Sequence, residues 1–150
     1  MKARGFIAIR ADNGADVDTD SLELYMPLVL GKKLPVAVRE KMIEGLVRKG
    51  RFRTDHGFAS EALTSPHYVS DGYWLGPIWA PNSMLLAEGL DSIGHKVLAE
   101  ELRLDFCKMA QRNGFSENFD AISGTGLRDP AYTWTSSVYL IFAHQLWDHQ

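Results

Sequence analysis

Pro81-Asn82-Ser83-Met84-Leu85-Leu86-Ala87-Glu88-Gly89-Leu90, then Ser92-Ile93-Gly94, then Lys96 to Arg112: in this stretch a helical apolar pattern runs twice, with a break between. Met84, Leu85, Leu86 and Leu90 carry the first half. Val97, Leu98, Leu102, Phe106 and Met109 fall on one side of the second, which is the signature of a helix with one buried face. Asn113-Gly114 supplies a stop. The pattern predicts helices over 81–90 and 96–112, joined by a short turn.

Upstream, the pattern repeats. Ser21 is an N-cap candidate, followed by a helix over 22–30 with Leu24, Met26, Leu28 and Leu30 and a kink expected at Pro27. A second helix starts near Pro35 and places Val38, Met42, Ile43, Leu46 and Val47 on one face before Gly50. Downstream, a fifth helix begins near Trp134 and carries Val138, Ile141, Phe142 and Leu146. Phe6-Ile7-Ala8-Ile9 could form a short strand, and 11–20 reads as a loop. The fold class is therefore all-α: helical hairpins joined by long glycine- and aromatic-rich loops. If such hairpins close into a ring, the long loops gather on one face, and a site belongs there.

The chain has 150 residues, 45% of them hydrophobic and 23% charged, with a formal net charge of −3. This fits one soluble domain over 1–150 with no internal boundary, and excludes a disordered or collagen-like chain. Sixteen Lys+Arg against 19 Asp+Glu give no electrostatic case for a nucleic-acid partner. The basic run Arg48-Lys49-Gly50-Arg51-Phe52-Arg53 reads as a solvated helix end. Cys107 stands alone among Leu104, Phe106 and Met109 and reads as a small buried hydrophobe. The five histidines lack metal-ligand spacing, so neither metal nor cofactor is expected. Met1-Lys2-Ala3-Arg4-Gly5-Phe6 opens no signal peptide, and no apolar run reaches the ~20 residues of a membrane span. The expected setting is cytoplasmic, without a membrane.

Three loop segments carry chemistry. In Tyr68-Val69-Ser70-Asp71-Gly72-Tyr73-Trp74-Leu75-Gly76-Pro77-Ile78-Trp79, aromatic rings interleave with glycines, with Phe58 just upstream. Such rings pair apolar faces with polar handles and suit a pocket for sugar rings. In the segment from Asn113 to Gly126, Glu117 lies between Phe115 and Phe119, surroundings that suit a carboxylate to acid–base work. Asp120 is the competing carboxylate, and its plainer role is to cap its own loop. The third segment, Tyr132-Thr133-Trp134-Thr135-Ser136-Ser137, opens the last helix, with Thr133 a cap candidate and Trp134 projecting to the loop face.

Tyr73-Trp74-Leu75-Gly76-Pro77-Ile78-Trp79, the run Gly-Phe-Ser-Glu-Asn-Phe-Asp at 114–120, and Tyr-Thr-Trp-Thr-Ser-Ser at 132–137 together resemble the C-terminal part of (α/α)6-barrel glycoside hydrolases. The match is nearest to the family 63 group that includes mannosylglycerate hydrolase-like enzymes, with trehalases and glycogen-debranching glucosidase domains more distant. The resemblance covers roughly residues 20–147, with 57–61 and 65–68 fitting the run-in to the first motif. It implies hydrolysis of an α-linked glucoside or mannoside with inversion. It makes Glu117 the general base and places Tyr73, Trp74, Trp79 and Trp134 along the sugar subsite. Many members carry Arg where this chain has Leu75, which removes one contact.

An inverting site needs two carboxyls about 6.5–9.5 Å apart. The family's acid is an upstream aspartate. Asp12, Asp16, Asp18 and Asp20 lack its aromatic context, so the acid is expected to be missing, with Asp71 and Glu61 as weak stand-ins. A twelve-helix barrel needs at least about 200 residues at ~12 per helix and ~5 per connection. The chain then reads as a fragment, inactive alone, whose partner is the missing N-terminal part of the barrel. The alternative is a non-catalytic helical module that binds carbohydrate or another protein.

Overall fold

Leu22, Tyr25, Leu28 and Gly31 are buried at intervals of three, the repeat of a 3-10 helix rather than an α-helix. Accordingly Leu22–Lys33 forms a 3-10 segment, capped by Ser21, whose Oγ accepts from the Glu23 N–H at 3.3 Å. The helix expected over 22–30 is therefore a 3-10 element that runs three residues further. Pro27, which lacks the N–H an α-turn requires, sits in its middle. Gly31 takes φ 55° and breaks its end.

The computed structural model describes residues 6–48 and 50–148. Four α-helices follow the 3-10 segment: α1 (Val36–Val47), α2 (Ala80–Ser92), α3 (Lys96–Asn113) and α4 (Thr133–Asp148). All four fall within a few residues of the expected bounds. The 3-10 segment packs on α1 and on α2, α2 on α3 and α4, and α3 on α4. Short turns join the 3-10 segment to α1 and α2 to α3. The long connections are 48–79 and 114–132.

Two small antiparallel pairs lie outside the helical expectation. One joins β1 (Ala8–Ile9) to β2 (Asp16–Val17), and the other joins β3 (Asn118–Phe119) to β4 (Gly126–Leu127). β1 lies within the short strand expected at 6–9, whereas β2 falls in the segment read as a loop. At two residues each, β2, β3 and β4 carry too little pattern to show in a sequence. The core gathers the inward faces of every helix with Phe52, Phe58, Ile78 and Phe119 from the loops.

Arg51 and Arg53 correct the solvated reading of the basic run. Arg51 pairs with Asp20 at 2.9 Å and donates to Tyr25 Oη at 2.9 Å, and Arg53 pairs with Asp105 at 2.6 Å. They fold inward and tie the loop after α1 to other elements. Lys49 lies outside the described residues, as do His149 and residues 1–5 of the expected non-signal start. No described helix is long and apolar enough to cross a membrane. Cys107 is buried, and burial pushes its thiol up to about 11.

Candidate active site

Backbone bonds stitch the three loop segments together. Ile78 and Phe119 exchange hydrogen bonds, Ile78 N to Phe119 O at 2.7 Å and Phe119 N to Ile78 O at 3.1 Å. This fixes the aromatic loop against β3. The 114–120 segment is held in turn by the start of α4. Glu117 N donates to Asp129 O at 2.8 Å, and Tyr132 N donates to Phe115 O at 2.7 Å. Thr135 Oγ1 donates to Ser116 O at 2.6 Å, and Trp134 Nε1 to Glu117 O at 3.0 Å. Glu117 thus has its N–H and its carbonyl both pinned by the segment 129–134.

Its side chain meets the aromatic loop. Tyr73 Oη donates to Glu117 Oε1 at 3.0 Å. That bond raises the Tyr73 phenol above its ordinary value, because ionising it would break the bond beside a carboxylate. Oε2 makes no hydrogen bond among the described residues. Glu117 is half-buried.

The rings form one cluster. Trp74 stacks on Trp79 at 3.9 Å with planes 11° apart. Tyr73 and Trp134 meet Trp79 edge-on at 4.7 and 5.5 Å, and Tyr132 packs on Trp134 at 4.7 Å. Trp79 is 1% exposed, whereas Trp74 and Tyr73 are 41% and 42% exposed. Trp79 Nε1 donates to Tyr73 O at 3.0 Å. So Trp79 is the buried pivot on which the other rings rest, and Trp74 offers the open face.

The structure thus brings together all five expected residues, Glu117, Tyr73, Trp74, Trp79 and Trp134. Trp134 also lines a groove of about 630 Å³ between α2 and α4, with Met84, Tyr132, Val138 and Ile141. Asp120 does cap its own loop: Oδ1 accepts from Ile122 N and Ser123 N at 3.1 and 2.7 Å. Glu61 is buried and accepts from Ser65 Oγ at 2.6 Å. Asp71 is paired with Arg128 at 2.8 Å. No group of three His, Cys, Asp or Glu able to hold a metal occurs among the described residues.

Sequence reasoning passed over two neighbours of the base. Arg128 lies with its guanidinium carbon 5.7 Å from the Tyr73 ring centroid. Its partners are distant in sequence, and no local pattern marks it. Asn118 is fully buried, and neither amide atom has a hydrogen-bond partner among the described residues.

Comparison with known proteins bears on this arrangement. The model of the mannosylglycerate hydrolase MGH1-like glycoside hydrolase domain matches residues 1–135. The mannosylglycerate hydrolase of Thermus thermophilus is 32% identical over 79 residues, which cover 53% of this chain and 19% of its own length. Among solved structures, a family 63 mannosylglycerate hydrolase from Thermus thermophilus is similar in two complexes. With glucose the TM-score is 0.83 at 22% identity, covering 96% of this chain and 36% of that one. With Tris and D-glycerate it is 0.85 at 22% identity, covering 95% and 34%. Neutral trehalase Nth1 from Saccharomyces cerevisiae gives 0.72 at 21%, covering 94% and 26%. The chain has the fold of one part of these helical toroids. It spans about a fifth of the length of that curated relative and about a third of the solved Thermus chain.

Proposed function

The chain belongs to the mannosylglycerate hydrolase MGH1-like glycoside hydrolase domain family, and on that premise we propose that it carries the base side of an inverting α-glycosidase site. Glu117 is the general base. Oε1 is held by Tyr73, and Oε2 takes the proton of a water attacking the anomeric carbon. The observation that carries this reading is the hydrogen bond from Tyr73 to one oxygen of the Glu117 carboxylate, at the rim of a ring cluster whose open face is Trp74.

Trp74 and Trp134 are the sugar-contacting rings, Tyr73 orients the base, and Trp79 backs Trp74. The substrate is an α-linked mannoside or glucoside. The relatives are named for mannosylglycerate, and the solved Thermus enzyme holds glucose or D-glycerate. Asp71 and Glu61 are engaged by Arg128 and Ser65. On this reading the general acid, which the resemblance places upstream of these motifs, comes from outside these 150 residues, on the further hairpins that complete the ring, and the isolated chain is inactive.

The purified chain should release no sugar from mannosylglycerate or an aryl α-glucoside. In a chimera where it replaces the matching third of the Thermus enzyme, Glu117→Gln should lower hydrolysis about 10²–10⁴-fold. Hydrolysis by the chain alone that survives Glu117→Gln would overturn the reading. The exposed Trp74 face favours a second reading, a non-catalytic carbohydrate-binding module. Sugar quenching of tryptophan fluorescence that Glu117→Gln leaves intact and Trp134→Ala removes, with no hydrolysis in the chimera, would select it.

A further inference from the structure

Two described residues other than glycine hold φ in the left-handed region, Tyr73 at 61° and Arg128 at 66°. Side chains are rarely placed there, and such strain persists only where the surroundings enforce it. The Arg128 guanidinium carbon lies 5.7 Å from the Tyr73 ring centroid, and Tyr73 is hydrogen-bonded to Glu117. The strain is therefore concentrated at a single point beside the proposed base.

Asp71 enforces it. Arg128 Nη2 lies 2.8 Å from Asp71 Oδ1. Nη1 donates to Asp71 Oδ2 at 3.3 Å, and Nη2 donates to the Asp71 carbonyl at 3.2 Å. A flat guanidinium can grip a carboxylate with two nitrogens while its face is turned to a ring, a bidentate grip that an ammonium cannot reproduce. Asp71 belongs to a tight turn closed by Gly72 N to Val69 O at 2.8 Å and Val69 N to Leu75 O at 2.7 Å. Gripping Asp71 therefore fixes the turn that presents Tyr73. On its other side Arg128 immediately precedes Asp129, whose carbonyl accepts the Glu117 N–H. Arg128 thus joins the turn that carries Tyr73 to the segment that holds the Glu117 backbone.

We propose that Arg128, anchored on Asp71, is a positioning residue for the site: it pins the Tyr73 ring so that the phenol stays on Glu117 Oε1 and Oε2 is left for water. The proposal rests on the reading of Glu117 as the base. Arg128 touches neither substrate nor water in this role and acts through Tyr73.

The test follows the Tyr73 phenol in the full 150-residue chain by NMR of ring-labelled tyrosine across pH, with Tyr73→Phe to assign the signal. The groups that face this phenol are Glu117, Tyr132 and Arg128. Loss of the Glu117 hydrogen bond lowers the phenol pKa, whereas loss of a nearby cation alone raises it. Arg128→Gln should therefore move Tyr73 down toward its ordinary value. Asp71→Asn keeps the cation but removes the charge of its anchor, and should move it the same way. This second variant decides the matter if Arg128→Gln fails to fold by circular dichroism. Arg128→Lys should restore only part of the wild-type value. A Tyr73 pKa that rises or stays fixed in Arg128→Gln, or that stays fixed in a folded Asp71→Asn, overturns the proposal. Failure of the base assignment would show separately, as undiminished hydrolysis by the Glu117→Gln chimera.

Discussion

At the scale of single residues, the site was readable where chemistry is local in sequence and hidden where it is not. Glu117 between two phenylalanines, and the tryptophans among glycines, announce themselves within a few positions. The division of labour among the rings does not, because burial separates Trp79 from Trp74 and burial is a tertiary property. Arg128 was invisible for the same reason, since its ion pair reaches back 57 positions to Asp71. Cys107 illustrates the readable kind, and its environment gives a pH prediction. Burial raises the thiol from 9.0 to about 11. Between those values the unfolded chain loses the proton while the native chain keeps it. The native state then binds more protons, so this group's contribution to stability falls as pH rises from about 9 to 11. Cys107→Ala lacks that loss. At neutral pH the variant should be less stable by about 1 kcal/mol, an ordinary cost for a small core truncation. Urea midpoints should show the gap closing as pH rises through this window. A gap that does not change with pH would mean the thiol is not shielded as described.

At the scale of elements, the four α-helices were legible because each carries a stripe of apolar residues at helical spacing. The 3-10 segment was legible as helical but not in kind. Its alternating leucines suit several conformations, and the interval-of-three burial emerges only once it lies against α2. At Gly89 these two elements come into close backbone contact. A Cβ built there would sit 2.7 Å from the Leu28 carbonyl oxygen and 2.8 Å from its carbonyl carbon. Both atoms are backbone and cannot turn aside. Two effects of opposite sign therefore meet in Gly89→Ala. Helix propensity gains about 1 kcal/mol, while overpacking against a fixed backbone costs about 1–3 kcal/mol. The clash should win, giving a net loss of stability in urea unfolding with the helical circular dichroism retained. A stabilised variant would show that α2 and the 3-10 segment are not in such close contact.

At the scale of the whole molecule, α4 is an element that the other described residues leave partly uncovered. One side of it is core, with Thr135, Val138 and Phe142 buried. Another side leaves Leu140, Ile141 and Trp147 at 67%, 42% and 78% exposure. A helix apolar on two sides suits burial on two sides, and contiguous exposed apolar surface marks a place where something else packs. Ile141 lines the groove beside α2, and Trp147 lines a second groove against α3. The proposed function puts the missing cover on the further hairpins of the ring, which also bring the general acid. The uncovered surface should therefore bind a hydrophobic dye in the isolated chain. Leu140→Lys with Trp147→Lys removes apolar area without touching the core, so helicity and unfolding midpoint should hold while dye fluorescence falls. Dye fluorescence unchanged in the double variant would place the uncovered surface elsewhere, and α4 would lose its standing as the face where the ring is continued.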